Sequence, residues 1–144
     1  MEIKDFCKEK GLNFDNLDNE FCIAEIEDNY ARKIADKIIE RVEKYRKFIE
    51  EFLHADGSNV AVLMEIKGLD DKQKELMNDM YKKLMLLERE YMIIELSDNQ
   101  FLEYIKTSLD KWNEIKTNLK DLVKKAKDSW HKKSDVREEL GYLG

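Results

Sequence analysis

Apolar residues recur every three or four positions along most of this chain, the spacing that lines one face of an α-helix. The longest series is Ile23, Ile26, Tyr30, Ile34, Ile38, Val42, Tyr45, Ile49 and Phe52. It predicts a helix over about 17–55, ended by Gly57. A short helix over 2–10 precedes it, with Ile3, Phe6 and Cys7 inward and Gly11 just past its end. Between the two lies a polar stretch, Asn13 to Asn19, in which Asp15, Asn16 and Asp18 are candidate N-caps.

The next apolar run, Val60-Ala-Val-Leu-Met64, could be a short strand, but a lone strand would have no partner here, so helix is expected. Gly68 predicts a kink or break, and Asp70 with Gln73 has the spacing of a capping box that opens a helix over Asp71–Leu96. Ser97 and Gln100 repeat that signature. They predict a third helix from about 98 to 133 through Phe101, Ile105, Leu109, Trp112, Ile115, Leu119, Leu122, Ala126 and Trp130. Asp135 and Glu138 suggest a final capped turn before Gly141. With 58–96 counted as one kinked unit, the three long elements would each span roughly 55 Å. Short connections then predict a single all-α domain, an elongated up-down-up bundle of three long helices flanked by the short N-terminal helix. There is no internal repeat. Spectrin-type repeats share the length scale, but no specific motif carries that comparison.

Composition reinforces the helical reading. The 144 residues include no proline and are 40% charged and 42% apolar, as expected of long helices with solvated outer faces. Disorder, the other state of highly charged chains, does not fit the sustained apolar periodicity. The net charge of −6 is uneven: residues 1–29 hold three lysines and nine acids, residues 106–133 nine lysines and four acids. Cys7 and Cys22 are the only cysteines, too few for a structural zinc set and expected as reduced thiols. Met1 leads into a charged segment with no apolar signal-peptide core, and no apolar run approaches the roughly 18 residues of a membrane span. A cytoplasmic location is the expectation.

The chemical motif that stands out is a pair of carboxylate-x-x-His sequences, Glu51/His54 and Asp128/His131. Di-iron bundles use this spacing because residues three apart share a helix face. At 100° per residue, however, Glu51 and His54 lie about 200° and 140° from Ile49, and Asp128 and His131 lie equally far from Ala126. Both pairs should point to solvent, so no metal site is expected. Neither histidine is placed to activate a nucleophile, and the five glycines are isolated, so no phosphate-binding loop exists. Arg32, Arg41, Arg46, Arg89 and Arg137 all read as exposed. No catalytic residue and no cofactor is expected.

Two surfaces remain. Helix 71–96 carries a main stripe of Leu76, Met80, Leu84, Leu87, Tyr91 and Ile94 and a second of Met77, Tyr81, Met85, Met92 and Leu96. Leu86 and Ile93 fall on what should be its polar side. Three-helix packing needs an apolar arc of little more than 100°, so either the N-terminal helix covers the excess through Ile3 and Phe6, or a partner does. The expected interface is Met85, Leu86, Arg89, Met92, Ile93 and Leu96, with a second copy of the chain as the expected partner in a homodimer. The alternative surface is a lysine stripe on the third helix: Lys106, Lys116, Lys120, Lys124 and Lys127. Such a row can follow a polyanion such as nucleic acid. Against it, that helix has no arginine, and no aromatics interleave with the lysines. The sequence therefore reads as a non-catalytic bundle acting through protein contact, with weak polyanion binding as the alternative.

Overall fold

A computed structural model describes residues 1–55 and 59–131 of the chain. Among them there are six helices and no strand: α1 (Ile3–Glu9), α2 (Phe14–Phe21), α3 (Tyr30–Leu53), α4 (Val60–Ile66), α5 (Asp71–Ser97) and α6 (Phe101–Ser129). The three long helices α3, α5 and α6 each pack against the other two, and α4 packs on α3 and α6. Val60 to Met64 is helical, as expected, with Asn59 capping it by accepting from the Val62 amide at 3.2 Å.

The continuous helix expected over 17–55 does not exist. Instead, α2 ends at Cys22, whose φ of 56° is left-handed, and α3 begins only after Asn29, also left-handed at 47°. The cause lies in the polar stretch expected to hold the N-cap of that helix. It forms α2, capped by Asn13 accepting from the Asn16 amide at 3.1 Å. Asp18 is not a cap; its carboxylate accepts from the Ala24 amide at 2.9 Å and draws the chain away from the helix axis. Ile23 is fully buried within the ensuing loop and Ile26 is half-buried. The loop thus keeps the apolar spacing of a helix without being one.

The break near Gly68 is real. Asp70 accepts from the Gln73 amide at 2.8 Å while the Gln73 side chain accepts from the Asp70 amide at 2.9 Å, completing the capping box of α5. Its counterpart at Ser97 and Gln100 does not form. Ser97 Oγ donates back to the Ile93 carbonyl, and Asp98 and Gln100 adopt left-handed φ values of 52° and 67° to reverse the chain within three residues. Arg32 on α3 fastens this reversal, bonding Asp98 at 2.8 Å and lying over the Phe101 ring. The expected turn near Asp135 and Glu138, and the helix stop at Gly57, lie outside the described residues.

One apolar cluster runs through the bundle and includes the N-terminal helices. Trp112 is its hub, with its ring 5.8 Å from Phe21 of α2 and 5.7 Å from Tyr45 of α3. Two expected core residues sit further out: Trp130 is half-exposed, and Leu76 gives way to Met77, whose side chain is buried. Among the described residues no buried side-chain polar atom lacks a hydrogen bond, and no helix is long and apolar enough to cross a membrane.

Candidate interaction surfaces

The packed face of α5 is Met77, Met80, Leu84, Leu87 and Tyr91. Tyr91 donates to Asp36 on α3, and the buried Tyr104 hydroxyl donates to the Leu87 carbonyl at 3.0 Å. Burial raises the pKa of both phenols, and the neighbouring carboxylates add to the effect. Both rings therefore stay neutral and hold α5 by hydrogen bonds.

Glu88 is buried on that same face, which the sequence reading missed. Arg46 reaches it from α3, Nε to Oε2 at 2.7 Å and Nη2 to Oε1 at 3.1 Å, and also bonds Glu50. The expectation that Arg46 is exposed is therefore corrected: its side chain is only 18% accessible. Periodicity marked position 88 as a charge and position 46 as a solvent residue. A signal did exist, since Glu88 sits one residue after the core position Leu87 and three before Tyr91.

Among the described residues, nothing covers the opposite side of α5. Leu86 is 56% exposed, Met92 50%, Ile93 64% and Leu96 86%. Arg89 is exposed beside them, its Nη1 3.6 Å from Met92 Sδ, and Met85 is half-buried at the edge. All six expected interface residues thus share one face. The N-terminal helix does not cover it. Phe6 stacks on Tyr30 at 5.2 Å, Tyr30 bonds the Met1 carbonyl, and α1 packs on α2. The expectation that the N-terminal helix covers the surplus apolar residues of α5 through Ile3 and Phe6 is therefore corrected.

The lysines of the second surface, Lys106, Lys116, Lys120, Lys124 and Lys127, are all exposed on α6. Lys116 is paired with Glu20 of α2, whose other oxygen accepts from Trp112 Nε1 at 2.8 Å. Burial pushes the Glu20 carboxyl up, but the bonds from Lys116 and Trp112 and the charges of Lys116 and Arg41 outweigh it and hold the group below its ordinary value. This is the one stripe lysine with an ion pair among the described residues. What sequence reasoning missed is that α3 contributes Arg41 and Tyr45 to the same surface, supplying the arginine and the aromatic ring that α6 does not place beside its lysines.

Glu51, His54, Asp128 and His131 all lie at the surface. No group of three metal-ligating side chains occurs among the described residues. Cys7 is buried, which raises its thiol pKa, and Cys22 is exposed. No protein-family model, curated protein or solved structure matches the chain.

Proposed function

We propose that this chain is a non-catalytic helical bundle that acts through protein–protein contact, with a second copy of itself seated on the open face of α5. The observation that carries this reading is the exposure of Leu86, Met92, Ile93 and Leu96 on a helix whose other side is already packed. Leu86, Arg89, Ile93 and Leu96 follow one another at steps of three, four and three residues, the a/d spacing of a helix that pairs along a seam. Full burial would contribute on the order of 1.5–3 kcal/mol per large aliphatic side chain, and the thioethers of Met85 and Met92 can adjust to an imperfect fit. Isolated patches of this kind on a monomer are usually functional.

The bundle that presents this face follows an up-down-up course. Supporting that course, Asp36, Arg46 and Glu50 of α3 meet Tyr91, Glu88 and Tyr81 of α5 in reversed sequence order. Arg32 and Tyr45 of α3 meet Phe101 and Trp112 of α6 in the same order.

Sedimentation equilibrium tests the reading. The wild-type chain should sediment at twice its 17.2 kDa mass, and Leu86→Lys/Ile93→Lys at the monomer mass with its helix content intact. A wild-type chain that stays monomeric up to about 100 μM, a concentration at which even a weak dimer forms, would end it.

A further inference from the structure

The groove between α3 and α6 has a chemistry that neither the bundle core nor the α5 face requires. Its floor is apolar, made by Tyr45, Trp112, Leu119 and Val123, and Val123 is 39% exposed there. Along the rim stand Arg41, Lys116, Lys120, Lys124 and Lys127. Glu20 closes one end and neutralises Lys116. Lys120, Lys124 and Lys127 have no ion-pair partner among the described residues. They follow one another at four- and three-residue spacing, the arrangement in which like charges on a helix repel. In a chain of net charge −6, gathering five cations around an exposed valine calls for a ligand that uses both features.

We propose that this groove binds a small amphipathic anion, an aromatic or short aliphatic body bearing a carboxylate, sulfonate or phosphate. The groove volume of about 250 Å³ lies just below the roughly 300–1,000 Å³ range of drug-sized sites, so the ligand is small. Glu20 repels an anionic head from its own end. The head therefore sits among Lys120, Lys124 and Lys127, and the body lies over Val123 and Tyr45. A nucleic acid fits less well. Trp112 is buried, which leaves Tyr45 as the accessible ring of the groove lining, too few for successive bases to stack, and α6 spans only about 16 Å from Lys116 to Lys127. This site is independent of the α5 face.

The test uses the full chain with Trp130→Phe, leaving Trp112 as its sole tryptophan, and follows the Trp112 indole N–H by NMR. Naphthalene-2-sulfonate is the probe; sodium sulfate at matched ionic strength supplies the head group alone. The probe should shift the indole signal saturably, and sulfate should not. Lys120→Glu/Lys124→Glu should weaken probe binding at least tenfold. Val123→Lys should also weaken it several-fold despite adding a positive charge, because the apolar floor is lost. Leu86→Lys/Ile93→Lys should leave it unchanged, which separates this groove from the α5 face. The proposal is overturned by absence of saturation, by an equal response to sulfate, or by probe binding that Val123→Lys leaves unchanged or strengthens. A single-stranded oligonucleotide that saturates the signal at lower concentration than the probe, and more tightly in Val123→Lys, would assign the groove to a polyanion instead.

Discussion

Arg46 grips Glu88 through two hydrogen bonds across the α3–α5 interface, with the Glu88 side chain 8% and the Arg46 side chain 18% accessible. The Glu88 bonds raise the pKa of the already basic guanidinium further, keeping it charged throughout the accessible pH range. A planar fork meeting a carboxylate fixes both distance and orientation, so this pair sets the register of the two helices on a face otherwise packed by Met77, Met80, Leu84, Leu87 and Tyr91.

Removing one partner should therefore be worse than removing both. Arg46→Met leaves Glu88 enclosed without its cation and should cost about 3 kcal/mol, while Arg46→Met/Glu88→Leu should fall within about 1 kcal/mol of wild type. Urea unfolding of the two single variants and the double variant measures the coupling. Additive losses would mean that the pair acts as two independent surface charges.

Gln100 is left-handed without being glycine, asparagine or aspartate. That conformation costs an ordinary side chain roughly 1–2 kcal/mol, so Gln100→Gly should raise stability by up to about 1 kcal/mol once the greater freedom of glycine in the unfolded chain is deducted. Asp98→Gly should gain less or nothing, because it also removes the Arg32 bond at 2.8 Å. Thermal melts of the two variants rank them.

At the capping box the Asp70 carboxylate accepts from one α5 amide, and the Asp70 amide donates in return to the Gln73 side chain. Asp70→Ala should cost about 1 kcal/mol, and amide exchange should accelerate in the first turn of α5 more than in its middle. Uniform acceleration along the helix would show that the loss is global.

Acid should loosen α2 specifically. The Glu20 carboxyl titrates below its ordinary value in the folded chain, so between the folded and unfolded values the unfolded chain binds more protons. The stability it confers is present above the ordinary carboxylate pKa of about 4.3 and is lost as pH falls through the lower, folded value. Glu20→Gln should flatten that part of the pH–stability profile. In wild type, the Trp112 signal should change before helix content does.

Helix content, the break before α5 and its capping box were all legible, because each depends on neighbours within four residues. The exposed pair Leu86 and Ile93 was legible for the same reason, as a departure from one helix's own stripe. The loop at 22–29 was not, since Ile23 and Ile26 are buried with helical spacing whether or not the backbone is helical, and the Asp18 bond that ends α2 spans six residues. Arg46 and the α3 side of the cationic groove were hidden because they depend on which helices meet. The lysines of α6 can be counted from the chain, but their convergence with Arg41 and Tyr45 exists only after packing.

The bond from Trp112 to Glu20 closes 92 residues of chain, and it bears on the order in which a growing polypeptide can acquire its structure. The first two helices leave the ribosome before α6, and although α2 packs on α1 and α3, its Phe21 and Glu20 meet Trp112 only once α6 has been made. Until then Phe21, buried in the finished protein, lacks the indole ring that packs against it. Closing so long a loop carries an entropic cost that only the completed bundle can offset. Locking of α2 onto α6 is thus a late event, and an arrested chain lacking α6 would leave Phe21 and Glu20 without their Trp112 contacts.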